Sequence, residues 1–408
     1  MSKRSATVVI VGAGMAGVRT AMSLRELGWR EGITLLGDER HPPYDRPPLS
    51  KAVLLGGDAD GDGAPVDNIR FDVDFDALGV DLRLGVRAQA LRTASREVIT
   101  DAGPVGYDHL VLATGAYPVA LPGTAGLPGV HLLRTLDDAA ALRPVLDARQ
   151  QVIVVGAGWI GAEFATAARQ AGCEVTVVEA ADRPLADALP AVITSHMRSW
   201  YEEAGVELRT GTAVYAVEPG AVVLADGSRL AAGAVVVGIG ARPATGWLAG
   251  SGVKLGADSA VLADDRLRTT APDVLAVGDC ASFPSARYGE RLLIHHWDNA
   301  LQGPRTAAAN VLGGDERYDP VPYFWSEQFG RFVQYAGHHT DDDTLLMRGD
   351  PSSGSWSVCW LRGDRLTAVL ALDRPRDLTQ ARKLISRSAT VDQALAADPS
   401  IPLMSAAR

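Results

Sequence analysis

The chain begins with an unbroken apolar run. Thr7-Val8-Val9-Ile10-Val11 shows no alternation, the mark of a strand covered on both faces of a parallel sheet. Gly12-Ala13-Gly14-Met15-Ala16-Gly17 follows at once, then a stretch of helical spacing that stops at Gly28. A second apolar run, Ile33-Thr34-Leu35-Leu36, leads to Asp38 and Glu39. The plan then recurs. The run Val152 to Val155 meets Gly156-Ala157-Gly158-Trp159-Ile160-Gly161, a helical stretch reaches Gly172, and Val175 to Val178 ends at Glu179. Three further runs predict strands with glycine exits: Leu110 to Leu112 before Ala113-Thr114-Gly115, Val235 to Val237 before Gly240, and Val274 to Val277 before Gly278-Asp279. From about Val321 the texture changes to aromatics and alternation (Tyr323, Phe324, Trp325, Phe329, Phe332, Tyr335, then Trp356 to Leu361). This predicts a mainly antiparallel sheet with a helix near Leu378 to Arg387.

The order of these elements predicts an α/β chain with two Rossmann-like dinucleotide-binding domains, the second inserted in the first, and a small C-terminal α+β domain. The expected boundaries are residues 1–115 with 243–320, residues 116–242, and residues 321–408. Pro118, Pro122 and Pro128 mark the crossing segment.

Each glycine in the two G-x-G-x-x-G runs has a task. The first (Gly12, Gly156) permits a tight turn, and the second (Gly14, Gly158) lets a pyrophosphate approach the backbone. The third (Gly17, Gly161) lets helix pack on strand. The helix start supplies free N–H groups and partial positive charge to the phosphates. The acid after the second strand accepts from ribose hydroxyls. Two copies in this context imply two dinucleotides on one protein, and electron transfer between them.

Composition narrows the choice. The 408 residues carry a net charge of −10, which argues against a general nucleic-acid binder. No apolar run is long enough to span a bilayer and Met1-Ser2-Lys3-Arg4 leads straight into the first strand, so a cytoplasmic location is expected. The cysteines, Cys173, Cys280 and Cys359, form no C-x-x-C, so neither a metal site nor a redox disulfide is expected, and Cys280 and Cys359 read as buried apolar residues. Asp58, Asp60, Asp62 and Gly63 copy the opening of a calcium loop, but Ile69 stands where the twelfth-position glutamate belongs. That stretch, and His338-His339 with Asp341 to Asp343, read as solvated turns. Lysine is confined to positions 3, 51, 254 and 383, which draws attention to Lys51.

Pro43-Tyr44-Asp45-Arg46-Pro47-Pro48-Leu49-Ser50-Lys51 closely resembles the signature of FAD-dependent, putidaredoxin-reductase-like ferredoxin reductases. Leu133-Arg134-Thr135-Leu136-Asp137-Asp138, Val277-Gly278-Asp279-Cys280, Asn299-Ala300 and Phe324-Trp325-Ser326-Glu327-Gln328 resemble further signatures of that family, in order. The resemblance implies FAD at the first fingerprint, with Ala16 at the pyrophosphate and Asp38 at the adenosine ribose, Glu39 beside it. It implies further FAD contacts from Arg46, Val86, Ala113, Thr114, Gly115, Arg134, Gly278, Asp279 on the ribityl chain, and Trp297 at the pyrimidine edge. Lys51 would lie near the flavin N5 and O4, and Trp325 would cover the redox centre; core packing is the alternative for either tryptophan. The second fingerprint would hold the nicotinamide nucleotide, with contacts from Ile160 and Gly240. Glu163 would lie near its ring and could pair with Lys51, or could be only a helix-start acid favoured by the dipole. Glu179 favours NADH over NADPH, while Arg183 could receive a 2′-phosphate. His295 stands where the family usually has glutamate.

The family implies electrons passing from NADH to FAD and singly to a [2Fe–2S] ferredoxin that serves a haem monooxygenase or dioxygenase. Docking is expected through Arg305 and the basic stretch 374–387 (Arg374, Arg376, Arg382, Lys383, Arg387), for which a solvated helix face is the alternative. Two other readings stay open: an NADH oxidase or diaphorase acting on oxygen, quinone or a small substrate, and a nucleotide-sensing interaction protein.

Overall fold

The computed structural model describes residues 6–56 and 67–408. The acidic run with Asp58, Asp60, Asp62 and Gly63 lies outside the described residues. The chain forms two compact units: Met1–Asp45, Arg70–Tyr117 and Arg242–Phe324, and Arg46–Ile69, Pro118–Ala241 and Trp325–Arg408.

In the first unit a five-stranded parallel sheet runs Val274–Ala276, His109–Leu112, Thr7–Val11, Gly32–Gly37, Val80–Leu84. Thr7–Val11 sits between the strands that follow it in sequence on either side, so the crossover direction reverses at its C-terminal end. A ligand crevice opens there in doubly wound sheets, and Gly12 to Gly17 lie there. Val8, Val9 and Ile10 are fully buried, which explains the absence of alternation. Val274–Ala276 pairs with His109–Leu112, so the chain returns to its first sheet after the intervening segment. Helix Met15–Glu26 packs against helix Trp297–Val311.

The second unit repeats the arrangement with the order Glu207–Arg209, Val175–Val178, Val152–Val155, Ala234–Val237, Val130–His131. It also contains, from Trp325 on, the antiparallel sheet of the C-terminal region, ordered Tyr323–Gln328, Arg331–Gly337, Arg365–Leu372, Trp356–Arg362, Thr344–Arg348, with helix Pro375–Ser386 against it. Trp356, Trp360 and Leu370 fill the core of this sheet. Arg348 is fully buried there. It pairs with Asp377 at 3.2 Å and donates to the carbonyls of Ala396, Asp398 (2.9 Å) and Ile401 (3.0 Å).

The His338–Asp343 turn is not the solvated loop that its composition suggests. His339 stacks on Trp360 at 4.4 Å and meets the Tyr335 hydroxyl at 2.6 Å through Nδ1. Asp343 is buried, bonded to Arg362 and Thr367; only Asp341 and Asp342 face solvent. Imidazole and tryptophan offer each other flat apolar faces, which outweighs the polar letter of the sequence. Burial, followed by the neighbouring His338, pushes His339 down to about 4 against the opposing charges of Asp343 and Asp341. The unfolded chain therefore binds a proton that the native state refuses, so stability is full above about pH 6.5 and falls as pH drops toward 4. The expected loss is about 1–2 kcal/mol, allowing for solvent screening of a partly exposed ring. Denaturant unfolding at pH 7 and 4.5 measures it. His339→Phe should shrink the difference, and an undiminished difference would refute the assignment.

Candidate functional site

The two glycine cradles are built alike. A side chain at Gly12 would meet the Ala113 carbonyl at 2.2 Å, and one at Gly17 would meet the Gly12 carbonyl at 1.8 Å. In the second cradle Gly156 faces the Gly238 carbonyl at 2.4 Å and Gly161 the Gly156 carbonyl at 2.1 Å. Protein packing alone thus fixes the first and third glycines. The middle ones differ. A Cβ on Gly14 would meet nothing within 4 Å, and one on Gly158 only the Gly238 carbonyl at 3.8 Å. Both have ordinary extended backbones, φ −79° in each case. Nothing in the protein requires glycine there, whereas a pyrophosphate approaching the helix start does. The residues therefore fit a dinucleotide at each cradle. Ile160 and Ile239 stand exposed at the mouth of the second, an apolar rim suited to a nucleotide base or ring. Ile239 lies past its strand, between Gly238 and Gly240, where neither the strand pattern nor the glycine motif singles it out.

The acids after the second strands are not equivalent. Gly12 N–H donates to Leu36 O and Gly156 N–H to Val178 O, both at 2.8 Å, so Gly37 occupies the place of Glu179. A side chain at Gly37 would lie 2.9 Å from the Ala13 Cβ, so the acid moves one residue on. Asp38 is exposed, with Arg87 3.9 Å away. Glu39 accepts from the Tyr44 hydroxyl at 2.5 Å. Glu179 is fixed by two backbone donors, Ala157 N–H at 2.7 Å and Ala181 N–H at 2.8 Å. Arg183 is held by Asp182 at 2.8 Å and the Ala186 carbonyl at 3.2 Å.

Around the first cradle, Ala16 lies against Gly278, whose φ of +71° needs glycine and whose Cβ would come within 3.1 Å of the Ala16 Cβ. Asp279 is buried in the turn Gly278–Cys280. Thr114 Oγ1 donates to Ala244 O at 2.8 Å, Gly115 takes φ +67°, and Val86 N–H donates to Gly37 O at 2.8 Å. Trp297 opens its helix and donates from Nε1 to Asp45 at 2.7 Å, a signature residue with a partner that the sequence does not disclose. His296, just before it, stacks on Phe324 at 4.2 Å; burial pushes it down to about 4, so the imidazole is neutral at pH 7. Among the described residues no cluster fit to hold a metal ion occurs.

In the second unit the resemblance residues converge. Lys51 Nζ donates to Glu163 Oε2 at 2.8 Å, and Arg46 donates to the Arg134 carbonyl at 2.6 Å. The Leu133–Asp138 signature proves to be a capping box: Asp138 N–H donates to Thr135 Oγ1, and Thr135 N–H to Asp138 Oδ2 at 2.8 Å, which starts helix Leu136–Asp147. Gly240 takes φ +111° and accepts from Val119 N–H at 2.9 Å. Glu163 also accepts from Ser50 and Ser326, neither legible as a partner in the sequence. Trp325 is half-buried on the strand that carries Ser326.

Of the basic candidates, Arg305 is exposed with Glu26 3.9 Å away. Arg374 is drawn inward to Asp377 at 3.0 Å, while Arg376, Lys383 and Arg387 remain exposed. All three cysteines are buried and none is paired. No described helix is long and apolar enough to cross a membrane.

Comparison with known proteins agrees with this geometry. Residues 6–303 match the model of the pyridine nucleotide-disulphide oxidoreductase family, and residues 323–407 match that of the reductase C-terminal domain. The chain is 38% identical to rhodocoxin reductase of Rhodococcus erythropolis, covering 97% of this chain and 93% of the relative. It is likewise 38% identical to the ferredoxin--NAD(+) reductase component of the anthranilate 1,2-dioxygenase system of Burkholderia cepacia, over 97% and 98%. The reductase in the crystal structure of a covalent putidaredoxin reductase–putidaredoxin complex superposes with a TM-score of 0.92 at 34% identity, covering 98% of this chain and 97% of that one. With both glycine cradles, the family signatures and this coverage in hand, the chain belongs to the pyridine nucleotide-disulphide oxidoreductase family, among its putidaredoxin-reductase-like ferredoxin reductases.

Proposed function

We propose that the protein is an FAD-dependent NADH:ferredoxin oxidoreductase that supplies a haem monooxygenase or a dioxygenase through a [2Fe–2S] ferredoxin. The observation that carries this is the pair of cradles whose middle glycines face open space. Bound there, FAD and NADH supply the redox chemistry, a two-electron donor feeding single-electron delivery. The chain's residues bind and orient. The first cradle, with Ala16, Gly278 and Asp279, is the FAD seat, with Asp38 as its accessible ribose acid and Trp297 held by Asp45. The second is the nicotinamide seat. Glu179, anchored on two N–H groups, offers its carboxylate to a ribose hydroxyl and opposes a 2′-phosphate, while the two terminal nitrogens of Arg183 already meet Asp182 and the Ala186 carbonyl. Lys51, oriented by Glu163, is the cation we assign to the flavin's developing negative charge, and Trp325 the aromatic cover. The unpaired cysteines suit a reducing compartment, so we place the protein in the cytoplasm.

Anaerobic stopped-flow mixing tests this. NADH should bleach the flavin with an efficiency about 100-fold above that of NADPH. A panel of [2Fe–2S] ferredoxins should then include one that turns over faster than oxygen. Equal rates with NADPH would overturn the assignment of Glu179. Oxygen turnover matching every ferredoxin would favour an oxidase.

A further inference from the structure

Glu163 is a buried carboxylate that accepts three short hydrogen bonds and one long contact. Oε2 accepts from Ser50 Oγ at 2.5 Å and Lys51 Nζ at 2.8 Å. Oε1 accepts from Ser326 Oγ at 2.8 Å and Glu327 N–H at 3.4 Å. Ser326 is itself held: Gln328 Nε2 donates to its oxygen at 3.1 Å, which leaves the hydroxyl proton for Glu163. Both side chains are 1% exposed, so no water competes for this arrangement, and donors in series strengthen one another in such surroundings.

Lys51 has three N–H donors. One goes to Glu163, and a second makes a long contact of 3.4 Å with the Pro47 carbonyl. The third has no partner among the described residues. How much of the ammonium stays available outward depends on how strongly Glu163 draws it in. A carboxylate with free lone pairs turns to grip a neighbouring ammonium with both oxygens. The two serines prevent this by occupying one position on each oxygen.

We propose that Ser326 and Ser50 are positioning residues of the reductase, which fix the Glu163 carboxylate and thereby hold the Lys51 ammonium where it can serve the flavin. Ser326 comes from the first strand of the C-terminal sheet, so that region contributes to the redox site through Glu163 as well as through Trp325. The inference rests on the assignment of Lys51 to the flavin given above.

Ser326→Ala should slow flavin bleaching by NADH about tenfold, with the apparent Kd for NADH within about twofold of the wild type. It should also shift the flavin reduction potential, read by dye equilibration, to a more negative value, because the reduced flavin loses part of its cation. Ser326→Thr keeps the hydroxyl and should restore both. In a Glu163→Gln background Ser326→Ala should add less than about twofold, because the carboxylate it acts on is gone. Ser50→Ala tests the other oxygen with the same expectations, and carries the test if Ser326→Ala does not fold. An unmoved potential, no rescue by threonine, or the full loss persisting with Glu163→Gln would each overturn the proposal. If Glu163→Gln and Lys51→Met both leave rate and potential at wild-type values, the assignment of Lys51 itself falls.

Discussion

Gly158→Ala should leave the fold standing and remove NADH binding, whereas Gly161→Ala, three residues on, should break the nucleotide-binding fold. The two glycines belong to one motif but answer to different constraints. At Gly158 the backbone is extended and the new methyl has no protein atom closer than 3.8 Å. Replacing glycine by alanine at a helix N-cap costs about 0.5–1 kcal/mol and is partly offset by reduced freedom of the unfolded chain, so stability should change by less than about 1 kcal/mol. The methyl stands where a pyrophosphate would meet the helix start, and affinity for NAD+ should fall about 100-fold or more. At Gly161 the methyl would lie 2.1 Å from the Gly156 carbonyl, which forces helix Trp159–Gln170 off the strand Val152–Val155 and should cost about 3 kcal/mol or more. Thermal unfolding and calorimetric titration with NAD+ separate the two. Gly14→Ala should likewise yield folded protein depleted of flavin. A Gly158→Ala protein that binds NAD+ normally would show that the open space serves no pyrophosphate.

Asp377→Ala should destabilise the C-terminal sheet by about 3–5 kcal/mol, the largest stability effect we expect away from the glycines. Asp377 accepts from Arg348 at 3.2 Å, Ser357 at 2.9 Å and Arg374 at 3.0 Å, and Arg348 has no access to solvent. Without Asp377 a fully buried guanidinium keeps its charge and loses its counter-ion. Removing the arginine instead does not repair the site, because the Ala396, Asp398 and Ile401 carbonyls then lose their donor. Arg348→Met with Asp377→Leu should therefore remain less stable than wild type, although less so than the sum of the single changes. The buried Trp356 and Trp360 report the transition by fluorescence. An Asp377→Ala protein within about 1 kcal/mol of wild type would mean that the pair contributes little.

The sequence discloses what is held by local rules. Three glycines at fixed spacing behind an apolar strand predict a cradle because the third answers a close contact within the motif and the second leaves the helix start open, while the first also makes room for the distant Ala113 or Gly238 carbonyl. The strand after residue 273 betrays the chain's return because a buried parallel strand must be apolar throughout. Lys51 and Glu163 could be suspected as a pair only through the resemblance, and the serines that complete the cluster are invisible, since a serine in a sequence has no direction. Arg348 closes the strand Thr344–Arg348, whose Thr-Leu-Leu-Met-Arg order does not alternate and gives no sign that the arginine is buried. It is buried because distant carbonyls at residues 396–401 need a donor. The acid after the second strand is displaced by packing too: the fit of Ala13 on Gly37 explains why the first cradle carries it one residue later than the second.

The cluster at Glu163 limits how this protein can be recombined with its relatives. A cut near residue 320 looks natural, because it separates one sheet from another. It would also part Ser326 from Glu163, Phe329 N–H from Thr166 Oγ1 at 3.0 Å, and Arg331 from Glu203 and the Trp200 ring. The heritable block is therefore three stretches far apart in sequence: the signature around Ser50-Lys51, the helices from Trp159 to Glu203, and the C-terminal sheet. Chimeras that take all three from one parent keep the block intact, and those that divide them inherit mismatched halves of a single hydrogen-bonded cluster.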